Sequence, residues 1–415
     1  MTVGLGAQQD SSRLTRLLAE YRIKTSIGLQ LWSTYSAGMD VYDAATGTYT
    51  HADNRLNTQL RRSRFVFTGQ PYERLQFNIT AALDLVGHDL LSATEAAGNN
   101  APSPGFRLWN LWLQYRLSKQ PDRLYLLTGY FLPPVGRESS TAALRSTSFE
   151  KAWSQNYLRR HLTGSGPGRA SGLLLGGQWH APDDDLHLTY EAALQNPTGQ
   201  DYNGNSSGIN WSPLLSARLS VQLGDVESKT FTLLRRVNYF NQREGITLSL
   251  SAARQGETAA FGRMSTLGVE VLYSTAGFHL DGDYHFLRRN VAGGNADTRT
   301  AARTGYLRLG YNLPLAQERI LEPVVSYWFF RGPTSPEAIF RAQLTRSFTG
   351  SDIGLDLGAN LYLNANFKLS LFYAYRHGDA GESDPAEINN NFFQQVGVGP
   401  VRRGNYLGTG CVVIF

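Results

Sequence analysis

The stretch Leu75-Gln-Phe-Asn-Ile-Thr-Ala-Ala-Leu-Asp-Leu85 decides the fold, because Leu75, Phe77, Ile79, Ala81, Leu83 and Leu85 alternate with Gln76, Asn78, Thr80 and Asp84. A period of two places each set on one face of an extended strand, whereas a helix would scatter both around its circumference. The same rhythm recurs along the chain. Ile27, Leu29 and Leu31 alternate with Lys24, Ser26 and Gln30; Leu188, Tyr190, Ala192 and Leu194 alternate with His187, Thr189, Glu191 and Gln195. Phe278, Leu280, Tyr284 and Phe286 alternate with His279, Asp281, Asp283 and His285.

Alternation alone also fits a soluble sandwich. Three features favour a membrane-spanning cylinder instead. The periodic runs extend over about 10 to 14 residues, which suits a tilted crossing of a ~25 Å apolar band. Their polar faces carry ionised groups (Asp281 and Asp283, Arg62 and Arg64) that a packed core would not accept unpaired. Aromatics also gather near strand ends, as in Trp109, Trp112 and Tyr115 or Tyr327, Trp328, Phe329 and Phe330, and are expected to form interfacial girdles. Mean hydropathy is -0.30, and no stretch approaches the roughly 18 uninterrupted apolar residues of a spanning helix. The fold class read from the sequence is therefore all-β: a transmembrane antiparallel β-barrel of about sixteen strands with a short N-terminal helix. Short links such as Gln70 to Glu73, Ala276 and Ala365 alternate with long ones, so one end faces the periplasm and the other the outside. Segments 225–244 and 339–349 are each long enough to hide a further strand.

Residues 1–9 read as the residue of a secretion signal or a disordered N-terminus, and 10–21 as a short periplasmic helix with Leu14, Leu17, Leu18 and Tyr21 on one face. Residues 22–415 are assigned to the barrel, ending on Cys411-Val-Val-Ile-Phe415, a strand with a terminal aromatic like an outer-membrane assembly signal. With Cys411 as the single cysteine, neither an intramolecular disulfide nor a thiolate cluster can form. No GxSxG, P-loop or HExxH pattern occurs, so no enzyme activity, cofactor or nucleic-acid partner is expected. His279, Asp281, Asp283 and His285 share one strand face, and solvation in a wet lumen is favoured there over a metal site.

Leu60-Arg-Arg-Ser-Arg-Phe-Val-Phe-Thr-Gly69, Leu127-Thr-Gly-Tyr-Phe-Leu-Pro-Pro-Val-Gly-Arg-Glu138, Phe149-Glu150, Leu194-Gln-Asn-Pro-Thr-Gly199 and Ile353 to Asn364 resemble the phosphate-selective porin O and P family. The sequence departs from that pattern in its Pro133-Pro134 pair and in Lys151, where an arginine is commoner. The resemblance implies a sixteen-stranded homotrimeric porin of the bacterial outer membrane, surrounded by lipid, with a long third loop folded into the lumen. Here that loop is 133–170, carrying Arg137, Arg145, Arg159, Arg160 and Arg169 against Glu138 and Glu150, and it is expected to form a basic constriction.

Five lysines leave 34 of the 39 basic residues as arginine, against a net charge of only +5. By alternation Arg62, Arg64, Arg116, Arg218, Arg308, Lys368 and Arg376 face the lumen, as anion-binding candidates. A stripe of that kind would concentrate small anionic solutes, unless acids such as Asp84, Glu270, Asp281 and Asp356 neutralise it. The expected function is passive diffusion of small solutes with anion preference, and by the resemblance phosphate. The alternative is an occluded barrel that serves as a structural or partner-binding subunit of an envelope complex, with 10–21 and 225–244 as periplasmic docking points.

Overall fold

The structure is a computed structural model that describes residues 15–16, 18–120, 122–181, 185–197, 212–293 and 298–415. Among the described residues sixteen long strands form one closed antiparallel barrel. They are β1 (Lys24–Ala37), β2 (Arg55–Tyr72), β3 (Leu75–Ala82), β4 (Arg107–Arg116), β5 (Tyr125–Phe131), β6 (Ala170–His180), β7 (Leu186–Pro197) and β8 (Leu214–Gly224). The second half is β9 (Gly245–Gln255), β10 (Arg263–Thr275), β11 (Phe278–Asn290), β12 (Arg299–Tyr311), β13 (Ile320–Arg331), β14 (Ser351–Asn364), β15 (Phe367–Asp379) and β16 (Asn405–Ile414). Closure is made by β1, which pairs β2 on one side and β16 on the other, from Gly28 opposite Ile414 to Ala37 opposite Asn405. A closed ladder leaves no backbone donor or acceptor facing hydrocarbon, the condition for a strand to cross a membrane at all.

Alternation becomes an inside-out burial pattern. On β9, Thr247, Ser249 and Ser251 are buried, while Leu248 and Leu250 are 52% and 59% exposed. The exposed set is the lipid face and the buried polar set faces the lumen. The tight links follow local chemistry. Between β10 and β11 the chain turns in two residues, Ala276 (φ 43°) and Gly277 (φ 89°), the pair of positive φ values whose twist suits a two-residue hairpin.

Several expectations need correction. β3 leaves the ladder after Ala82 because Asp84 turns inward, accepting from Arg64 Nη1 (2.5 Å) and the Ser63 amide (3.2 Å), with Leu85 at φ 65°. Segment 225–244 holds no strand; it folds into the lumen and buries Glu227, Phe231, Arg235 and Val237. Within 339–349 lies the end of a helix, Pro336–Leu344, with its proline in the first turn where a missing N–H costs nothing. Of the described part of 10–21, residues 15–16 and 18–20 are helical and Tyr21 begins a turn, and residues 1–9 lie outside the described residues.

The supposed girdle also divides. Tyr115 and Tyr327 are exposed on the lipid face, but Trp328 and Phe330 point into the lumen and are buried. Trp109 turns inward because the β3–β4 register shifts there, with Thr80 opposite Asn110 and Ala81 opposite Leu108. A bulge of this kind re-aims one side chain across the wall. Trp112 likewise packs toward an interior cluster of Tyr125, Leu127 and Phe131.

Aromatics inside the lumen anchor what folds into it. Phe149 stacks on Trp32 (centroids 4.3 Å apart, 14° between planes) and lies against Phe372 and Tyr406. Gly408 makes the room, since a Cβ there would collide with the Phe149 ring. Replacing Gly408 with Val should therefore leave the barrel folded but displace Phe149, at a cost of about 1–3 kcal/mol. Limited proteolysis should then cut within 133–169 several times faster, and an unchanged rate would remove Phe149 as the anchor.

Candidate functional site

The segment between β5 and β6 enters the lumen as α1 (Arg137–Ser140), a single tight turn (Ala143–Arg145) and α2 (Ser154–Thr163). Helix α2 has one apolar edge: Leu158 and Leu162, four residues apart, pack among Val135, Leu214, Phe261 and Met264. Tyr157 stacks on Phe330 at 4.1 Å, and its hydroxyl donates to Asp352. Gly164 ends the helix in the left-handed region (φ 73°), its amide donating to the Arg160 carbonyl at 2.9 Å. These contacts fix the rotation of α2 so that Asn156, Arg159 and Arg160 face the other way.

What they face is a cavity of about 590 Å³ running along the β1–β4 side of the barrel. Ser26 and Ile414 line it near the chain termini, and Gln394, Gln395 and Val396 line it near the long loops. Its lining contains ten arginine or lysine side chains against three carboxylates, Asp84, Glu95 and Glu150. Two of the cations owe their position to a second bulge. The β1–β2 register shifts between Gln30 opposite Arg62 and Leu31 opposite Leu60, so Arg61 turns inward beside Arg62. Both bind Glu150, Arg61 through Nε at 2.7 Å, while Arg62 also donates to Gln30 Oε1 at 2.8 Å. Arg64 and Arg169 stack on Trp109, at 4.2 and 4.0 Å from its ring centroid.

Opposite stand three cations with no carboxylate in ion-pair distance among the described residues. Lys151 Nζ donates to the carbonyls of Glu138 and Thr141, the latter at 2.7 Å. Arg159 donates to the Ser139 carbonyl (2.6 Å), and Arg169 to Asn110 Oδ1 (2.8 Å) and the Pro167 carbonyl (2.6 Å). Burial and then the Arg159 guanidinium hold the Lys151 ammonium well below its usual value. Burial, reinforced by Arg62 and Arg64, pushes Arg159 down to about 10. Burial is the main cause of each shift, and the neighbouring cations add to it while Glu138 opposes it.

The other side of the lumen is filled. Arg137, fully buried, grips Glu227 with two parallel bonds of 3.0 Å and so ties α1 to the 225–244 segment. Arg308 bonds both Glu138 and Asp281. Arg218 meets Glu270 at 2.6 Å, Arg235 meets Glu191 at 3.2 Å, and Arg376 meets Asp356 at 2.9 Å. Lys368 donates to the Ser146 carbonyl, and Arg116 pairs with exposed Glu73 at the rim. Of the seven wall candidates, then, only Arg62 and Arg64 line the cavity. Among the inserted residues, Arg145, Glu150, Arg159 and Arg160 line it, whereas Arg137 and Glu138 are locked in the filled half. The histidine face is buried rather than solvated: His279 lies 2.9 Å from Glu322 and His285 3.5 Å from Asp283.

The sequence profile of the phosphate-selective porins O and P matches residues 34–395. The chain belongs to the phosphate-selective porin O and P family. It is a porin of the bacterial outer membrane. Its fold is shared with solved structures at low identity. An anion-selective porin from Comamonas acidovorans aligns at TM-score 0.54 and 12% identity, covering 95% of this chain and 99% of that one. Pseudomonas putida OprB aligns at TM-score 0.54 and 10% identity, covering 98% and 97%. The trimer form of Vibrio cholerae OmpT aligns at TM-score 0.50 and 11% identity, covering 95% and 99%. No curated protein sequence matches this porin.

Strict alternation misses Arg61 and Trp109 in this porin, because each sits where parity points to lipid. A charge in mid-strand on the lipid face is itself the warning, since an arginine there costs about 2–4 kcal/mol unless the register shifts. Arg107 and Arg403 also line the cavity, and neither was singled out by pattern.

Two measurements follow from the clamps. Glu227→Gln should destabilise the folded porin by about 3–5 kcal/mol in chemical unfolding, because it strands Arg137 in a buried site. Burial alone would raise the Glu150 carboxyl, but Arg61 and Arg62 outweigh it and hold it at about 2. A depressed carboxyl contributes stability that is present above its unfolded value and lost as pH falls through the folded one. Protease protection of 133–169 should thus persist at pH 5 and fail between about pH 4.3 and 2.

Proposed function

We propose that this porin passes small anions in preference to cations, with inorganic phosphate among them, along the off-centre cavity, and that 133–169 forms the constriction. The observation that carries this reading is the set Lys151, Arg159 and Arg169. These cations bond only to carbonyl or amide oxygens of the protein and face the Arg61–Arg62 pair, which shares one carboxylate. An anion entering the narrow part meets guanidinium and ammonium donors already fixed in place, and a cation meets the same field as a barrier. Neutral backbone partners hold the charges without cancelling them. Passage stays passive because several donors of similar kind follow one another, so no single site needs to bind tightly. The reading assigns the chain a channel and no reaction.

The family is described as phosphate-selective, and the Comamonas acidovorans neighbour as anion-selective. Both support the charge argument. The trimer form of OmpT supports a homotrimer for this chain too. The occluded-barrel alternative has less support, because the cavity extends from residues near the termini to residues in the long loops.

Reversal potentials in planar bilayers under a salt gradient test the preference. The native porin should be anion-selective, and Lys151→Glu with Arg159→Glu should lower the anion-to-cation permeability ratio by on the order of tenfold. Native cation preference would overturn the reading. Because Lys151 is held well below the ordinary 10.5, anion preference should also begin to fall at a lower pH than a free lysine would give.

A further inference from the structure

Six arginines stand on the outside of the wall at its long-loop end, on five consecutive strands: Arg254 on β9, Arg263 on β10, Arg288 on β11, Arg299 and Arg303 on β12, and Arg331 on β13. All six are exposed. Parity puts them on the face that carries Leu250, Leu267, Phe286, Leu307 and Tyr327, the lipid face. Register gathers them into adjacent rows. Arg263 is opposite Asn290, which is opposite Arg299; Arg254 is opposite Ser265, which is opposite Arg288. One row further toward the apolar belt, Phe286 is opposite Arg303, which is opposite Arg331.

Two observations separate this arc from a solvated rim. Among the described residues none of the six has a carboxylate in ion-pair distance, whereas the buried wall arginines Arg218, Arg308 and Arg376 each do. The lowest row is also pinned to the last aromatics of the belt, Arg303 lying 5.9 Å over Phe286 and Arg331 6.0 Å over Phe329. Aromatics at that level mark the boundary between hydrocarbon and headgroups, so the charges sit at headgroup height. Elsewhere around the long-loop end the outer face is apolar at Leu108 on β4 and Leu215 on β8, and on β15 it carries His377 and Asp379, the latter two strands from Arg331 across Ser351. The arc is local and built from arginine throughout. A planar guanidinium grips phosphate oxygens in pairs, which an ammonium cannot do.

We propose that this outer arc of β9–β13 binds the phosphates of a phosphorylated glycolipid in the external leaflet, whose acyl chains lie along Leu250, Leu267 and Leu307 below. The occupant is chosen by charge complementarity and by continuity with the lipid face. It is independent of what passes through the lumen.

The test uses the purified full-length porin in detergent, titrated with a bis-phosphorylated acylated glucosamine disaccharide and with the same lipid stripped of both phosphates, bound lipid being counted by native mass spectrometry. The variant Arg263→Gln, Arg288→Gln, Arg303→Gln, Arg331→Gln is compared with Lys119→Gln, Arg319→Gln at the opposite end. Each arginine near an anionic headgroup layer is worth roughly a factor of five, so the quadruple variant should bind on the order of several hundred-fold more weakly. Its single-channel conductance should be unchanged, which also shows that it has folded. If it fails to insert, Arg288→Gln with Arg303→Gln replaces it, with an expected loss of roughly 25-fold. Equal binding by native and variant porins, equal binding of the dephosphorylated lipid, or displacement mole for mole by phosphatidylglycerol would each overturn the proposal. A variant that loses only its oligomeric state, with lipid retention intact, would overturn it too and give the face to a second copy of the chain.

Discussion

The interior depends on Arg308, a wall guanidinium held between Asp281 on the neighbouring strand and Glu138 on the segment that enters from above. A sixteen-stranded cylinder is too wide for its own side chains to meet across the middle. Whatever fills it must be brought in and fastened, and in a polar lumen the strong fastener is a charge-assisted bond with two contacts. Arg137 with Glu227 repeats the device against the segment from below. Such pairs are costly to desolvate and are weak evidence for net stability, but losing one partner leaves a stranded charge. They therefore specify where the inserted chain sits more than they strengthen the barrel.

That placement creates two unlike halves. On one side acids and bases neutralise each other in buried pairs. On the other the loop presents cations that rest on carbonyl oxygens, and the wall answers with arginines that outnumber their acids. One residue type thus does opposite work within one lumen. The partner decides which: a carboxylate turns arginine into a clamp, a neutral oxygen leaves it a source of field.

The strands were legible because a period of two survives any amount of loop variation: the runs at 24–31, 187–195 and 278–286 fall inside β1, β7 and β11, and the run from Leu75 stops early, at Ala82. The failures share one cause. Parity assumes an unbroken ladder, and at Arg61 and Trp109 an extra residue breaks it, carrying to the inside side chains that counting assigns to lipid. Lumen-facing was also equated with pore-lining. Arg218, Arg308 and Arg376 do face inward, but which inward arginines meet a carboxylate depends on how two long segments fold, and no local period encodes that. The 225–244 link shows the same limit, since its burial comes from Glu227 and Arg235 finding partners far away in the chain.

Because the cavity hugs the β1–β4 side, its bore is decoupled from the circumference of the cylinder. Adding strands to such a barrel would enlarge the plugged region and leave the passage as narrow as before. Under the proposed route solutes would pass between the β1–β4 wall and the inserted segment, more a slot than a tube, and Phe149, seated on Trp32 over Gly408, anchors the chain next to the cavity-lining Glu150. The width of such a slot would follow from how the inserted segment is seated, in a shell whose size never changes.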